Sequence, residues 1–397
     1  MKSNIITIAL AALCPIGAFA QQNAVDNAVR AILESNIELK AERARYEAEL
    51  EESRSENTLA GPEADFDYKF APSGVENRWG VSVKQAFDWP GTYSARSKAN
   101  GYRQEAFRLL WRAKSIDLAL EAKSLIFDHI KAEQNRMLLA EAKTNISKLS
   151  EYLGKAFEHG NATILEVMKA KRELLAIEKR LSEADIESRK ANENIKILAG
   201  GDFDLSGIDR FPSESLRGHE EYRSCLAENN PSVAAATSLV EAAKAEVSVA
   251  RRSALPGLSI GFIHDFEEGM HFNGFSVGIS LPFWGKNRKA AAAKAALSAS
   301  MLDRDLAARR LIAEMDAAYS EALAMQASLK GFRESFDNDK DYIKLLDKAF
   351  YGGQLTIFDY LRELNDYIDF KLDFIDLEYR YSVAAARLNR YWTDAND

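Results

Sequence analysis

The side chains able to do chemistry are few and mostly scattered. The chain has 397 residues with five histidines, two cysteines and seven methionines. The densest metal-capable run is His264-Asp265-Phe266-Glu267-Glu268-Gly269-Met270-His271. Imidazole, thioether and carboxylate together suit a soft or borderline divalent metal. A solvated acidic loop has the same composition, and no ligand spacing in the run is diagnostic, so neither a metal nor a cofactor is expected. His129, His159 and His219 stand apart, and Cys225 reads as a small packed apolar residue. There is no Gly-rich phosphate loop, no H-E-x-x-H and no nucleophile beside a base, so an enzyme is not expected. A second group of interest is acidic: Asp359, Asp366, Asp369, Asp373 and Asp376, with Glu363 beside them. Such a stripe is either a solvated helix face or the lining of a wet conduit with a cation-favouring field.

The elements that would carry these groups follow from composition and patterning. The chain is 47% apolar and 28% charged, with 52 basic and 60 acidic residues and a net charge of −8. That excludes a disordered chain, a multispan helical membrane protein and a basic nucleic-acid surface, so no nucleic acid is expected as partner. Of the eight prolines, none falls between Pro90 and Pro212 or after Pro282, which leaves room for very long helices. Residues 1–20 read as a secretory signal peptide: Lys2, an apolar run from Ile5 to Leu13, and Ala18-Phe19-Ala20 as the cleavage site. Leu13 and Pro15 around Cys14 do not fit a lipoprotein signal. No later segment has 18 consecutive apolar residues.

The chain is written twice. Asn36 through Pro62 aligns with Asn230 through Pro256, Val81-Ser82-Val83 with Val277-Gly278-Ile279, and Lys155 to Ile164 with Lys348 to Ile357. The offsets stay close to one value, so two structural copies are expected, at about 24–200 and 230–393, joined by a crossover over 201–229. Each copy reads as helix, strand pair, very long helix, returning helix. In the first strand Phe66, Tyr68 and Phe70 alternate with Asp65, Asp67 and Lys69. In the second, Trp79, Val81, Val83, Phe87 and Trp89 oppose Gly80, Ser82, Lys84 and Asp88. Leu258, Ile260, Phe262 and Phe266, then Phe275, Val277, Ile279, Leu281 and Phe283, repeat the alternation in the second copy. Strands of about ten residues, Trp79, Trp89, Phe283 and Trp284 at their ends, and Gly, Ser and Asp on the polar face suit a membrane barrel with a wet interior. Four strands cannot close one, so several chains must share it. The run from His264 to His271 falls between the third and fourth strands, on an expected extracellular loop.

Thr92 to Phe157 is expected to be a single helix of roughly 100 Å, and Gly285 to Tyr351 its counterpart. Each ends at a glycine-bearing break: His159-Gly160-Asn161, and Gly352-Gly353-Gln354. A helix then returns, Ile164 to Leu198 and Ile357 to Trp392, with Thr163 and Thr356 as candidate caps.

In this layout the chain resembles the TolC-like outer-membrane efflux family, and within it the CzcC-like heavy-metal efflux branch of the Bacteroidota type. The resemblance runs from Val25 to Trp392. It is carried by the two-copy plan, Asn36-Ile37-Glu38-Leu39, the corners Phe87-Asp88-Trp89-Pro90-Gly91 and Pro282-Phe283-Trp284-Gly285, and the two tips. It implies a fold that is mainly α with a β-barrel part: long periplasmic helical hairpins, and four transmembrane strands per chain in a shared twelve-strand barrel of a homotrimer. It implies an outer-membrane location extending into the periplasm, in contact with outer-membrane lipid. It implies a periplasmic adaptor, a membrane fusion protein, docking around His159, Gly160, Asn161, Gly352, Gly353 and Gln354, with an RND-type inner-membrane efflux pump behind it. The cargo would be divalent metal cations or small toxic compounds. By position Asp359 is the aperture acid. Where the family often has a second acid one turn on, this chain has Arg362, followed by Glu363 and Asp366.

Overall fold

The computed structural model describes residues 15–73, 76–267, 269–281, 286–338 and 342–392. In chain order the elements are α1 (Pro15–Ser35), α2 (Ile37–Ser55), β1 (Glu63–Lys69), β2 (Arg78–Phe87), α3 (Thr92–Glu158), α4 (Ile164–Ala199), α5 (His219–Asn229), α6 (Pro231–Arg252), β3 (Gly257–Glu267), β4 (Met270–Ser280), α7 (Lys286–Asn338), α8 (Tyr342–Tyr351) and α9 (Ile357–Asn389). The expected fold class is observed, mainly helical with one small antiparallel sheet. The chain divides into two compact units, each taking stretches from both halves of the sequence. One comprises Met1–Leu39, Ser115–Asn229 and Ile312–Asp397; the other comprises Lys40–Lys114 and Asn230–Leu311.

The second unit holds the sheet, ordered β1-β2-β3-β4 with every pair antiparallel. Register puts Phe66 opposite Val81, Val83 opposite Phe262, and Ile260 opposite Val277, so one face is a continuous apolar field. Asp65, Ser82, Gly261 and Ser276 lie on the other face. All four helix junctions sit at one end of the strands, and both hairpin connections at the other. Asp88 anchors the β2–α3 corner: its carboxylate pairs with Arg96 at 3.0 Å and its N–H donates to the Tyr93 hydroxyl at 3.0 Å.

The duplication is visible in hydrogen bonds. The Asn36 side chain accepts from the Leu39 N–H at 2.7 Å, and Asn230, its counterpart, accepts from the Val233 N–H at 2.9 Å. Both are helix-starting caps, and both are buried.

The first unit has two apolar cores. One packs Leu139, Ile146 and Leu153 of α3 with Val167 and Ile177 of α4, Leu346 of α8, and Ile357, Leu361, Leu364 and Ile368 of α9. The other packs Val25 and Ile32 of α1 with Ile126, Phe127 and Ile130 of α3 and Ile195 of α4. Burying a residue such as Leu361 contributes about 2–5 kcal/mol by the usual cost of truncation to alanine.

One expectation needs correction. The run from His264 to His271 is not a loop. His264 to Glu267 finish β3 and Met270 and His271 open β4, leaving a two-residue connection with Gly269 at φ 74°. The period-2 pattern continues through polar residues there, because cross-strand pairing holds them. Of the helix expected over Gly285 to Tyr351, Lys286–Asn338 (α7) and Tyr342–Tyr351 (α8) are helical, and residues 285 and 339–341 lie outside the described set. The crossover expected over 201–229 carries the helix α5. β1 is seven residues long and β2, β3 and β4 are ten or eleven. The leader residues Lys2 to Cys14 and the corner Pro282 to Gly285, with Phe283 and Trp284, lie outside the described residues. No described helix is long and apolar enough to cross a membrane.

Candidate functional site

The two tips are built alike. At the end of α3 the Gly160 N–H donates to the Phe157 carbonyl at 2.9 Å and the Asn161 N–H to Ala156 at 2.8 Å. At the end of α8 the Gly353 N–H donates to Phe350 at 3.0 Å and the Gln354 N–H to Ala349 at 2.9 Å. Both are Schellman closures, which need a left-handed residue. Gly160 at φ 72° and Gly353 at φ 76° supply it without a Cβ penalty. His159 folds back, its Nδ1 2.7 Å from the Lys155 carbonyl oxygen. Gly352 continues the last turn, its N–H donating to the Lys348 carbonyl at 2.9 Å.

Each tip is followed by a threonine cap. Thr163 and Glu166 form a full capping box, and the Thr163 N–H and hydroxyl hold the Glu166 carboxyl below its ordinary range. Thr356 and Asp359 repeat the arrangement. The Thr356 hydroxyl accepts from the Asp359 N–H at 3.2 Å and donates to its carboxylate at 2.6 Å.

Asp359, the expected aperture acid, is thus held by the Thr356 hydroxyl. It also lies 3.5 Å from Arg362, which reaches Glu363 at 3.3 Å. Glu363 accepts from the Tyr342 hydroxyl at 2.8 Å, and that bond, then Arg362, holds its carboxyl low. Asp369 pairs with Arg180 of α4 at 2.6 Å, and Asp376 with Lys131 of α3 at 2.5 Å. Asp366 and Asp373 are exposed and make no hydrogen bond or ion pair among the described residues. The division follows from helix geometry. Positions 359, 366 and 373 repeat every seven residues and share one face of α9, while 362, 369 and 376 share the neighbouring one. The stripe is thus two stripes, one turned to partner helices and one open. Below it, Asn365 donates to Glu173 of α4 at 2.6 Å.

One feature of the tips was not anticipated. Phe157, Leu165, Met168, Leu345, Tyr351 and Phe358 are all exposed within a few turns of the two glycines. Leu165 and Met168 follow directly on Ile164 and Val167, so apolar residues there exceed what one buried face can use, and that excess was the available signal. Tyr152 and Tyr351 meet edge to face at 5.6 Å, linking the α3 and α8 ends. The Tyr360 hydroxyl donates to Asp347 at 2.8 Å, and burial drives its pKa far upward.

Residues 223–393 match the sequence profile of the outer membrane efflux protein family. No curated protein sequence matches the chain. The Campylobacter jejuni CmeC outer membrane channel has a similar structure, with a TM-score of 0.77 and 15% identity over 98% of this chain and 90% of that one. A membrane protein from Pseudomonas aeruginosa gives a TM-score of 0.79 and 16% identity over 93% of each chain. The open state of the Neisseria gonorrhoeae MtrE outer membrane channel gives 0.76 and 16% over 92% of this chain and 88% of that one. At these identities the shared property is the fold. The profile covers the second copy, and the first repeats its plan.

Proposed function

We propose that this protein is the outer-membrane exit duct of a tripartite efflux system. It is a passive, non-catalytic channel reaching from the outer membrane of a Gram-negative cell into the periplasm. The observation that carries this reading is the sheet. Its β1 and β4 edges are unpaired among the described residues, and its apolar face is exposed, with Phe275 at 89% and Val277 at 80%. Water penalises such a face, and lipid penalises open edges. Closing β4 onto β1 of another copy removes both penalties. Three copies give twelve strands and a lumen wide enough to pass cargo. The mature chain in this reading is 21–397, with residues 1–20 removed. Its two copies span about 24–200 and 230–393, with 201–229 as an equatorial crossover. Cargo is delivered by an RND-type inner-membrane pump through a periplasmic adaptor. The heavy-metal, CzcC-like branch, with divalent metal cations as cargo, is the favoured placement within the family, and small toxic compounds are the other class. Native mass spectrometry of detergent-extracted protein should give trimers. A stable, water-soluble monomer overturns the reading.

The adaptor's landing surface in this proposal is the pair of tips, His159 to Asn161 and Gly352 to Gln354, with the exposed apolar residues around them. Gly353→Val puts a β-branched residue at φ 76°, at a cost of roughly 1–2 kcal/mol. The tip should reshape, and crosslinking to the adaptor should fall while trimers persist. Undiminished crosslinking and efflux would remove the tips from the adaptor interface.

A further inference from the structure

Two histidines at the helix-distal end of the sheet converge on one point. His264 on β3 and His271 on β4 share the apolar face, and their rings lie 5.3 Å apart at 28°. His271 Nδ1 is 3.3 Å from His264 Nε2. On its other side His264 Nδ1 is 2.7 Å from Oδ1, the side-chain amide oxygen of Asn273, directly across the strand pair. A carbonyl oxygen only accepts, so His264 Nδ1 carries the proton and Nε2 presents a lone pair towards His271. A hydrogen bond of this kind from the far ring nitrogen fixes the tautomer of a metal-binding imidazole. Trp79 and Phe266 floor the site, with ring centroids 5.6 Å from His264 and 5.0 Å from His271.

We propose that His264 and His271 form a two-histidine site for a tetrahedral divalent cation of the Zn²⁺ type. Two nitrogens 3.3 Å apart, each at the usual 2.0–2.1 Å from zinc, subtend about 107° at the metal, near the tetrahedral value. Binding needs a ring rotation and a tautomer shift in His271. Its proton leaves Nδ1 and reappears on Nε2, while Nδ1 and His264 Nε2 bond to the metal. The hydrated ion keeps two of its waters and loses the others, and no net proton is released. Among the described residues no group of three or more His, Cys, Asp or Glu side chains is placed to hold a metal. Water therefore completes the shell, and exchange is fast. The proposal stands on hairpin geometry, independently of the transport reading.

The test uses the full chain, without an affinity tag, in detergent, with Cu²⁺ as a quenching probe of Trp79. Cu²⁺ should quench a saturable part of the tryptophan emission, Zn²⁺ should reverse it, and Trp79→Phe should abolish it. His264→Ala, His271→Ala and His271→Gln should each raise the midpoint by at least roughly tenfold, and Asn273→Leu by roughly 10–100-fold. His159→Ala should not move it. Because His271 is exposed, its variants leave the sheet intact. An unchanged midpoint in the His264 and His271 variants, or no saturable quenching in the parent, overturns the site.

Discussion

Phe275→Arg should abolish outer-membrane assembly, whereas Gly274→Arg, one residue away, should leave it intact. Phe275 is the central residue of β4 and stacks edge to face on Phe262 at 5.9 Å. Gly274 sits on the opposite face, across from Ile263, and a side chain there meets nothing within 4 Å. An arginine on the lipid face near the bilayer midplane costs about 2–4 kcal/mol. Three chains sharing one barrel would bear roughly three times that, comparable to the whole stability of a domain. On the lumen face the same side chain keeps its water. Outer-membrane fractionation and heat-modifiable gel mobility read both variants. Normal assembly of Phe275→Arg would mean that this face does not meet lipid.

Asp366→Asn together with Asp373→Asn should lower the channel's cation preference by roughly tenfold, about 1.4 kcal/mol. Asp359→Asn alone should change it little. The asymmetry follows from pairing. Asp359 is partly neutralised by Arg362 at 3.5 Å and engaged by Thr356, whereas Asp366 and Asp373 are open. In a trimer the two unpaired acids become six, a single-sign lining able to raise local cation concentration. Single-channel reversal potentials across a salt gradient measure the ratio. A dominant effect of Asp359→Asn would return the aperture to the position that the family resemblance first indicated.

Much of the architecture was legible because the chain states it twice. Asn36 and Asn230, Gly160 and Gly353, and Thr163 and Thr356 each announce the same backbone event at a matching position, and repetition raises a weak local signal to a strong one. What stayed hidden depends on neighbours distant in sequence. Nothing local to Asp369 or Asp376 foretells Arg180 or Lys131, so the acidic run reads as uniform until α3, α4 and α9 are packed. His264 and Met270 look like loop residues because pairing across β3 and β4, rather than propensity, keeps them extended. The helix α5 was missed because Gly201, Gly207, Pro212 and Gly218 around the crossover point to irregular chain. The strand faces were readable from alternation alone, since a period of two survives even where individual residues are atypical.

The sheet's far end is notably bare. β1 and β2 are joined by residues 70–77, and β3 and β4 by 268–269. With the strands in a barrel, ten residues per chain would face the outside. A rim that low has no segment long enough to fold back across the mouth as a plug, and it offers bacteriophages or antibodies very little to grip. In the proposed barrel, connections of this length leave the outer mouth uncovered, and a barrier at the helical end would be the one the helices themselves form.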